Sequence, residues 1–312
     1  MAHDHSHAGH SHGAGAPRGR LAIAFGVALV VLVAEVVGSV LTGSLALLTD
    51  AGHMLVDVLG LGMALTAVTL MLRPTSDRRT WGLRRAEVLA AGAQAALLSV
   101  VGLYSLVEGT RRLFAPPEVP GPELLIFGVL GLAANIVGLL VLASGRNSGL
   151  NMRAAFLEVA ADALGSIAVI LAAVVIWTTG WERADPVAGL LIALIILPRA
   201  WRILRESVSI LLESTPPEVD VQEIRDHILD RPHVREVHDL HVTRIDSNLP
   251  VLTAHVVLDE ECFHDGHAPE ILHDLQTCLG EHFPLAIDHS TFQFDRPAHV
   301  DHEDLHPERR EG

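Results

Sequence analysis

Aromatic residues are scarce in this chain, at 4% of 312 positions, and cysteine is scarcer still, with Cys262 and Cys278 alone. Two thiols cannot build a disulfide scaffold, and without Cys-x-x-Cys spacing they do not form a structural zinc site. Both read as reduced thiols facing a cytoplasm. No apolar stretch carries a His-Glu-x-x-His run, the one at His302–His306 lying in the last residues, which argues against an intramembrane zinc metalloprotease. The chain reads as no enzyme and as using no organic cofactor. Positive charge is also short: 22 basic residues, all arginine, against 37 acids give a net charge of −15. Nucleic acid is excluded as a partner on that balance, and cations are favoured. The start, MAHDHSHAGHSHG, is polar and His-rich, unlike a cleavable signal peptide, which begins basic and then turns apolar.

What is present is unevenly spread. Residues 1–213 hold 15 arginines and 15 acids, which cancel, whereas residues 214–312 hold 7 arginines and 22 acids, so the whole net charge sits in the last third. Of 19 histidines, five fall at positions 3–12, thirteen from His227 to His306, and one, His53, lies between.

Half of the residues are hydrophobic, and six apolar stretches are long enough to cross a bilayer core, which takes about 20 helical residues. They fall near 21–41, 45–70, 88–107, 123–143, 154–177 and 186–204, separated by breakers such as Thr42-Gly43-Ser44, Arg73-Pro74, Pro116-Pro117 and Asp185-Pro186. With both termini inside, the inner segments carry twelve arginines, among them Arg78, Arg79, Arg84, Arg85, Arg199 and Arg202. The outer loops carry three, Arg111, Arg112 and Arg183. That asymmetry predicts a multi-pass protein of the inner membrane, in contact with lipid, with cytoplasmic termini.

From Pro216 the pattern becomes that of a small soluble module. Val219–Asp230 reads as an amphipathic helix, Val234–Ile245 and Val251–Leu258 as strands, Ala268–His282 as a helix and Asp288–Asp295 as a last strand. The expected architecture is therefore an α-helical membrane protein with six transmembrane helices followed by a small cytoplasmic α+β (αββαβ) domain. Its parts are a His-rich segment 1–20, a six-helix transmembrane domain 21–213, a cytoplasmic α+β domain 214–296, and a disordered His-containing tail 297–312.

Ionisable residues at membrane depth are costly and usually functional. The second span places Asp50, His53 and Asp57 at i, i+3 and i+7, one helical face, with His53 and Asp57 a turn apart. The fifth span carries Glu158 and Asp162 at i, i+4. Two such pairs facing each other offer one imidazole and three carboxylates, a four-ligand set that Zn²⁺ accepts. The competing view is that these groups only hydrogen-bond helices together; two i, i+4 pairs on separate spans, one with the lone membrane histidine, weigh against it. Asp50, a turn nearer the outer end, stands behind the ligands or on the access path. Glu35, Gln94, Glu108 and Asn135 stand alone on their spans and read as structural.

These blocks, GSLALLTDAGHMLVDVLGL, TWGLRRAEVLAAG and NMRAAFLEVAADALGS, resemble the cation diffusion facilitator family, of the bacterial cobalt-zinc-cadmium resistance type, over nearly the whole chain. The resemblance implies a homodimer that exchanges metal for protons through motifs on the second and fifth spans, here His53, Asp57, Glu158 and Asp162. It also implies a cytoplasmic metal site at His238, His255 and His267. The last strand, FQF, lacks the ligands that some members carry, leaving that site incomplete unless His241 or His289 substitutes. A charge lock near the dimer interface is implied for Arg85 and Glu213, partly shielded from solvent; a simple topology anchor is the alternative for Arg85.

Glu158 stands where zinc-transporting relatives place a second histidine, which makes the set harder. Zinc remains the first expectation, with cobalt and cadmium next; manganese or iron(II) export, or a membrane metal sensor that does not transport, are the alternatives. Because ligands must be deprotonated to bind metal, protons and metal compete for the same groups. Export of metal against import of protons follows. The histidines at positions 3–12 read as a weak metal catcher.

Overall fold

The computed structural model describes residues 18–143, 150–281, 283 and 285–297; within these, the side chains of 18–25, 27, 28, 61, 65, 142, 150–158 and 281 lie outside the description. The His-rich start and nearly all of the tail are outside it as well.

Long apolar runs make long helices, the sixth continuing through Pro198. In order these are α1 (Arg18–Thr42), α2 (Leu45–Met71), α3 (Ala86–Phe114), α4 (Gly121–Ala143), α5 (Leu150–Thr179) and α6 (Ala184–Leu211). Five of them, α2 to α6, are long and apolar enough to cross a membrane, and α1 adds the apolar stretch Leu29–Thr42 among the described residues. Their outer faces expose Val40, Leu103, Leu140, Leu171 and Ile195. A helix hides its own backbone polar groups, so such faces suit hydrocarbon and not water.

Two compact units divide the chain: the described parts of Met1–Leu61 with Gln94–Trp201, and of Gly62–Ala93 with Arg202–Gly312. In the first, α4 packs on α5 and on α1, around a core that includes Leu47, Val56, Leu124, Val169, Ile192 and Ala200. The turn between α1 and α2 uses Gly43 at φ 67°, a left-handed position that favours glycine. Asp185, fully buried in the first turn of α6, then caps α2. Its Oδ2 accepts from Leu45 N–H at 2.7 Å and its Oδ1 from Ala46 N–H at 3.3 Å, while the Ser44 hydroxyl donates to Oδ1. A carboxylate on the free N–H groups and positive dipole end of a helix fixes where that helix begins. The sequence reading took Asp185-Pro186 only as a breaker.

The second unit contains the C-terminal domain. Helix α7 (Val221–Leu229) is capped by Asp220, whose side chain accepts from Gln222 N–H and Glu223 N–H, and it buries Ile224 and Ile228, four residues apart. Strand β1 (Val234–Arg244) pairs antiparallel with β2 (Pro250–Leu258), and β2 pairs parallel with β3 (His289–Asp295), giving the order β1-β2-β3. A parallel pair needs a crossover, and α8 (Cys262–Asp265) with α9 (His267–Glu281) provides it. The sequence reading assigned no element where the short α8 lies; Gly266 at φ 91° ends it. Leu252, Val256, Leu258, Leu275 and Leu279 form the core between sheet and helices, each buried aliphatic contributing about 1.5–3 kcal/mol. Within this unit Arg84 Nη1 lies 3.2 Å from the buried Asp246 carboxylate in the turn after β1, and Arg85 Nη2 lies 2.6 Å from Glu213 Oε1.

Candidate metal centres

The capped start of α2 carries its polar face into the first unit. His53 Nε2 is 3.3 Å from Asp57 Oδ2 on the same helix and 3.6 Å from Asp162 Oδ1 on α5. The three offer ligand atoms within 4.8 Å of one another, with His53 and Asp162 buried and Asp57 half-buried. An imidazole and two carboxylates held this close could hold a metal ion by charge and by donor type. Glu158 lies one turn before Asp162 on α5, but its side chain is outside the described residues.

Around this cluster the structure adds contacts that the sequence reading lacked. Gln94, read as structural, donates from Nε2 to Asp57 Oδ1 at 3.3 Å, a hydrogen bond from α3 to one member of the trio. Arg199, counted as a topology anchor, lines a cavity of about 120 Å³ together with Asp50, His53 and Asp162. Asp50 lies outside the three-ligand cluster; the carboxyl paired with it is Glu35 of α1, which is 1% exposed and receives no donor from any described residue. A Cβ on Gly165 of α5 would come within 2.8 Å of Asp50 Oδ1, so the close approach of α5 to α2 depends on that glycine. Asn135 donates to Ser166, and Glu108 is held by Arg111 and Arg112; both fit the structural reading.

In the C-terminal domain the register places His238 of β1 opposite His255 of β2, with ring centroids 5.0 Å apart. Asp295 at the end of β3 completes the group: its Oδ2 is 3.0 Å from His255 Nδ1 and 3.8 Å from His238 Nε2. Both His238 ring nitrogens are buried without a hydrogen bond among the described residues. A buried imidazole so placed is costly unless something occupies its lone pair, and a metal ion fits that need. Asp295, the residue directly after FQF, was missed; strand register, not spacing, is the signal that finds it. His241 is exposed opposite Thr253 and His289 packs edge-on against Trp81, so neither joins the group. His267 does not join it either. It pairs with Asp265 at 2.7 Å and stacks on His233.

Arg85 and Glu213 meet, but their side chains are 38% and 58% exposed, so the shielding expected of a lock is absent from the described residues and the pair's worth falls to ~0–1 kcal/mol.

Residues 21–212 match the cation efflux transmembrane domain and residues 216–296 the cytoplasmic domain of cation efflux proteins. The metal cation efflux system protein CzcD of Cupriavidus metallidurans is 42% identical over 289 residues, 92% of this chain and 90% of its own length. Zinc transporter ZitB of Escherichia coli is 40% identical over 302 residues, 96% and 94% of the two chains. A cadmium, cobalt and zinc/H(+)-K(+) antiporter of Bacillus subtilis is 36% identical over 293 residues, 93% of each. The chain belongs to the cation efflux family, and is a multi-pass membrane protein.

Proposed function

We propose that this chain exports divalent metal ions, zinc foremost, from the cytoplasm across the inner membrane in exchange for protons. The carrying observation is the trio His53, Asp57 and Asp162, with His53 and Asp162 buried; Glu158 is assigned as the fourth ligand from its place one turn before Asp162. It works as a homodimer with six spans, α1 to α6, and both termini inside, the arginine asymmetry supporting that orientation. In this reading residues 21–213 transport, residues 214–296 sense metal and dimerise, and the segments 1–20 and 297–312 supply further histidines. Arg85 and Glu213 join the two domains near the dimer interface.

The cycle follows from ligand chemistry. Facing the cytoplasm, deprotonated His53, Asp57, Glu158 and Asp162 take up M²⁺; facing outward, protons displace it. Glu35 and Asp50 adjoin this route, and two neighbouring carboxyls at membrane depth need a proton or another cation between them. Relatives named for zinc, cobalt and cadmium support the substrate class. Glu158 favours a second reading, in which manganese or iron(II) competes with zinc, because a carboxylate suits harder ions. Uptake into proteoliposomes under an imposed pH gradient, across Zn²⁺, Co²⁺, Cd²⁺, Mn²⁺ and Fe²⁺, tests both. Zinc uptake that collapses with the gradient is expected; uptake indifferent to the gradient, or the absence of uptake for every ion, contradicts the proposal.

A further inference from the structure

On the wall of the cavity beside the membrane trio, Arg199 is the one basic residue among the described residues. It belongs to a stripe of α6: Ile192, Ile195, Ile196 and Arg199 follow at helical spacing, and all four line that cavity together with Asp50, His53 and Asp162. Its depth matches that of the trio. Helices α5 and α6 are joined by the short turn at residues 180–183; Asp162 lies 17 residues before the end of α5 at Thr179, and Arg199 lies 15 residues after the start of α6 at Ala184. These are distances of about 25 and 22 Å along the two axes. The guanidinium charge is felt at Asp57 on α2 as well. An arginine that only anchors a helix end reaches for lipid head groups, and nothing in that role calls for a place on this wall.

The four-ligand set of the proposed function carries more negative charge than a divalent ion can balance. With His53 neutral, the carboxylates of Asp57, Glu158 and Asp162 contribute three negative charges against two positive ones on the metal, and one is left over. A set of two imidazoles and two carboxylates would be neutral once loaded. At membrane depth an unbalanced charge is costly, and here it would have to pass through both orientations of the carrier along with the ion. One guanidinium removes the excess. Asp50 also lines the cavity, but it is paired with Glu35 and both stay the same in every variant below, so they cancel from the comparison.

Resting on the transport reading above, we infer that Arg199 is the counter-charge of the extra carboxylate Glu158, so that the cage loaded with a divalent ion is neutral. A guanidinium has no lone pair to offer a metal, so Arg199 is a positioning residue and not a ligand. Its loss leaves the loaded cage negative: the ion is held at least as tightly, and the charged complex reorients more slowly. Replacing Glu158 by histidine while Arg199 remains does the opposite. The loaded cage is then positive, and the ion is held more weakly. The two changes have opposite signs and cancel when combined. Because Arg199 is exposed, part of its charge is screened, which limits the size of both effects.

The test is uptake of divalent ions by the full-length protein in proteoliposomes, with KM and maximal rate measured for wild type, Arg199→Met, Arg199→Lys, Glu158→His and the double variant Glu158→His/Arg199→Met. Arg199→Met should lower the maximal rate for Zn²⁺ about 10-fold, with KM unchanged or lower. Glu158→His should raise KM for every divalent ion, least for zinc. Arg199→Lys keeps the charge and should stay within about 3-fold of wild type. The double variant should recover both constants to within about 3-fold of wild type, a coupling that a merely structural arginine would not show. Size-exclusion profiles in detergent identify a variant that fails to fold, and Arg199→Gln then takes the place of Arg199→Met. Losses that simply add in the double variant, Arg199→Lys as impaired as Arg199→Met, or Arg199→Met transporting like wild type would overturn the inference while the transport reading stands. Absence of uptake by wild type would overturn the transport reading, and the inference with it.

Discussion

The membrane trio and the sheet trio hold similar donors in different frames. His53, Asp57 and Asp162 come from two helices, and two of the three sit one turn apart on α2. His238, His255 and Asp295 come from three strands, and no two are neighbours in sequence. A helix writes its ligands into the chain at spacings of three and four, whereas a sheet assembles them only once its register is set. Frame and setting also separate the functions. In the proposed function the carboxylates at membrane depth lie on a transport route, while the half-buried group on the sheet binds metal without moving it.

Matched substitutions are the sharpest way to break this comparison. Asp162→Ala and Asp295→Ala each remove one carboxylate from a His-containing trio. The first should lower zinc flux into proteoliposomes more than about 100-fold, beyond what loss of an outer partner costs. The second should leave maximal flux near wild type and remove one bound zinc per chain, counted by equilibrium dialysis. Equal effects on flux would erase the distinction.

Next in size is the cap that sets the start of α2. Asp185→Ala strips the acceptor from the Leu45 and Ala46 N–H groups at a site of 0% exposure. It should cost about 1–3 kcal/mol for each buried group left unpaired, seen as a lower Tm of the detergent-purified protein. Flux should fall with it because His53 and Asp57 ride on that helix. An unchanged Tm would show that the cap is dispensable.

Selectivity should move less. Glu158→His replaces an oxygen donor by nitrogen, and relative uptake should shift toward zinc and away from manganese and iron(II). Unchanged ratios would place the choice of ion elsewhere. The smallest effect concerns Arg85 and Glu213. With both side chains more than a third exposed, a double-mutant cycle on dimer stability should return a coupling of ~0–1 kcal/mol, and a larger value would mean that the dimer shields the pair.

How much of this was readable in the chain follows the same division. The helices and the His53–Asp57 face were legible because apolar length and a 3.6-residue period need no tertiary information. Asp162 was legible for that reason too. Gln94, Glu35 and Arg199 were not, since each acts on a residue of another helix and nothing local marks a lone polar side chain as an orienting one. Asp185 hid behind its own proline: the dipeptide looks like a breaker, and only packing reveals which helix end it caps. Asp295 was hidden because the ligand expected in FQF lies one residue further on, where the β2–β3 register pairs Gln293 with His255 and puts Asp295 two residues along on the same face. His267, grouped with His238 and His255 by alignment, has His233 and Asp265 as neighbours at the α8–α9 corner.

The central claim is that one ion exchanges for protons at the cage on α2 and α5. Its most direct test records zinc and proton movement together in proteoliposomes carrying wild type or Asp57→Ala, with zinc- and pH-sensitive dyes inside. Wild type should take up zinc as protons leave the lumen. Asp57→Ala should lose both movements while remaining folded, inserted and able to bind zinc at His238, His255 and Asp295. Zinc uptake by Asp57→Ala at the wild-type rate, with protons still counterflowing, would contradict the account.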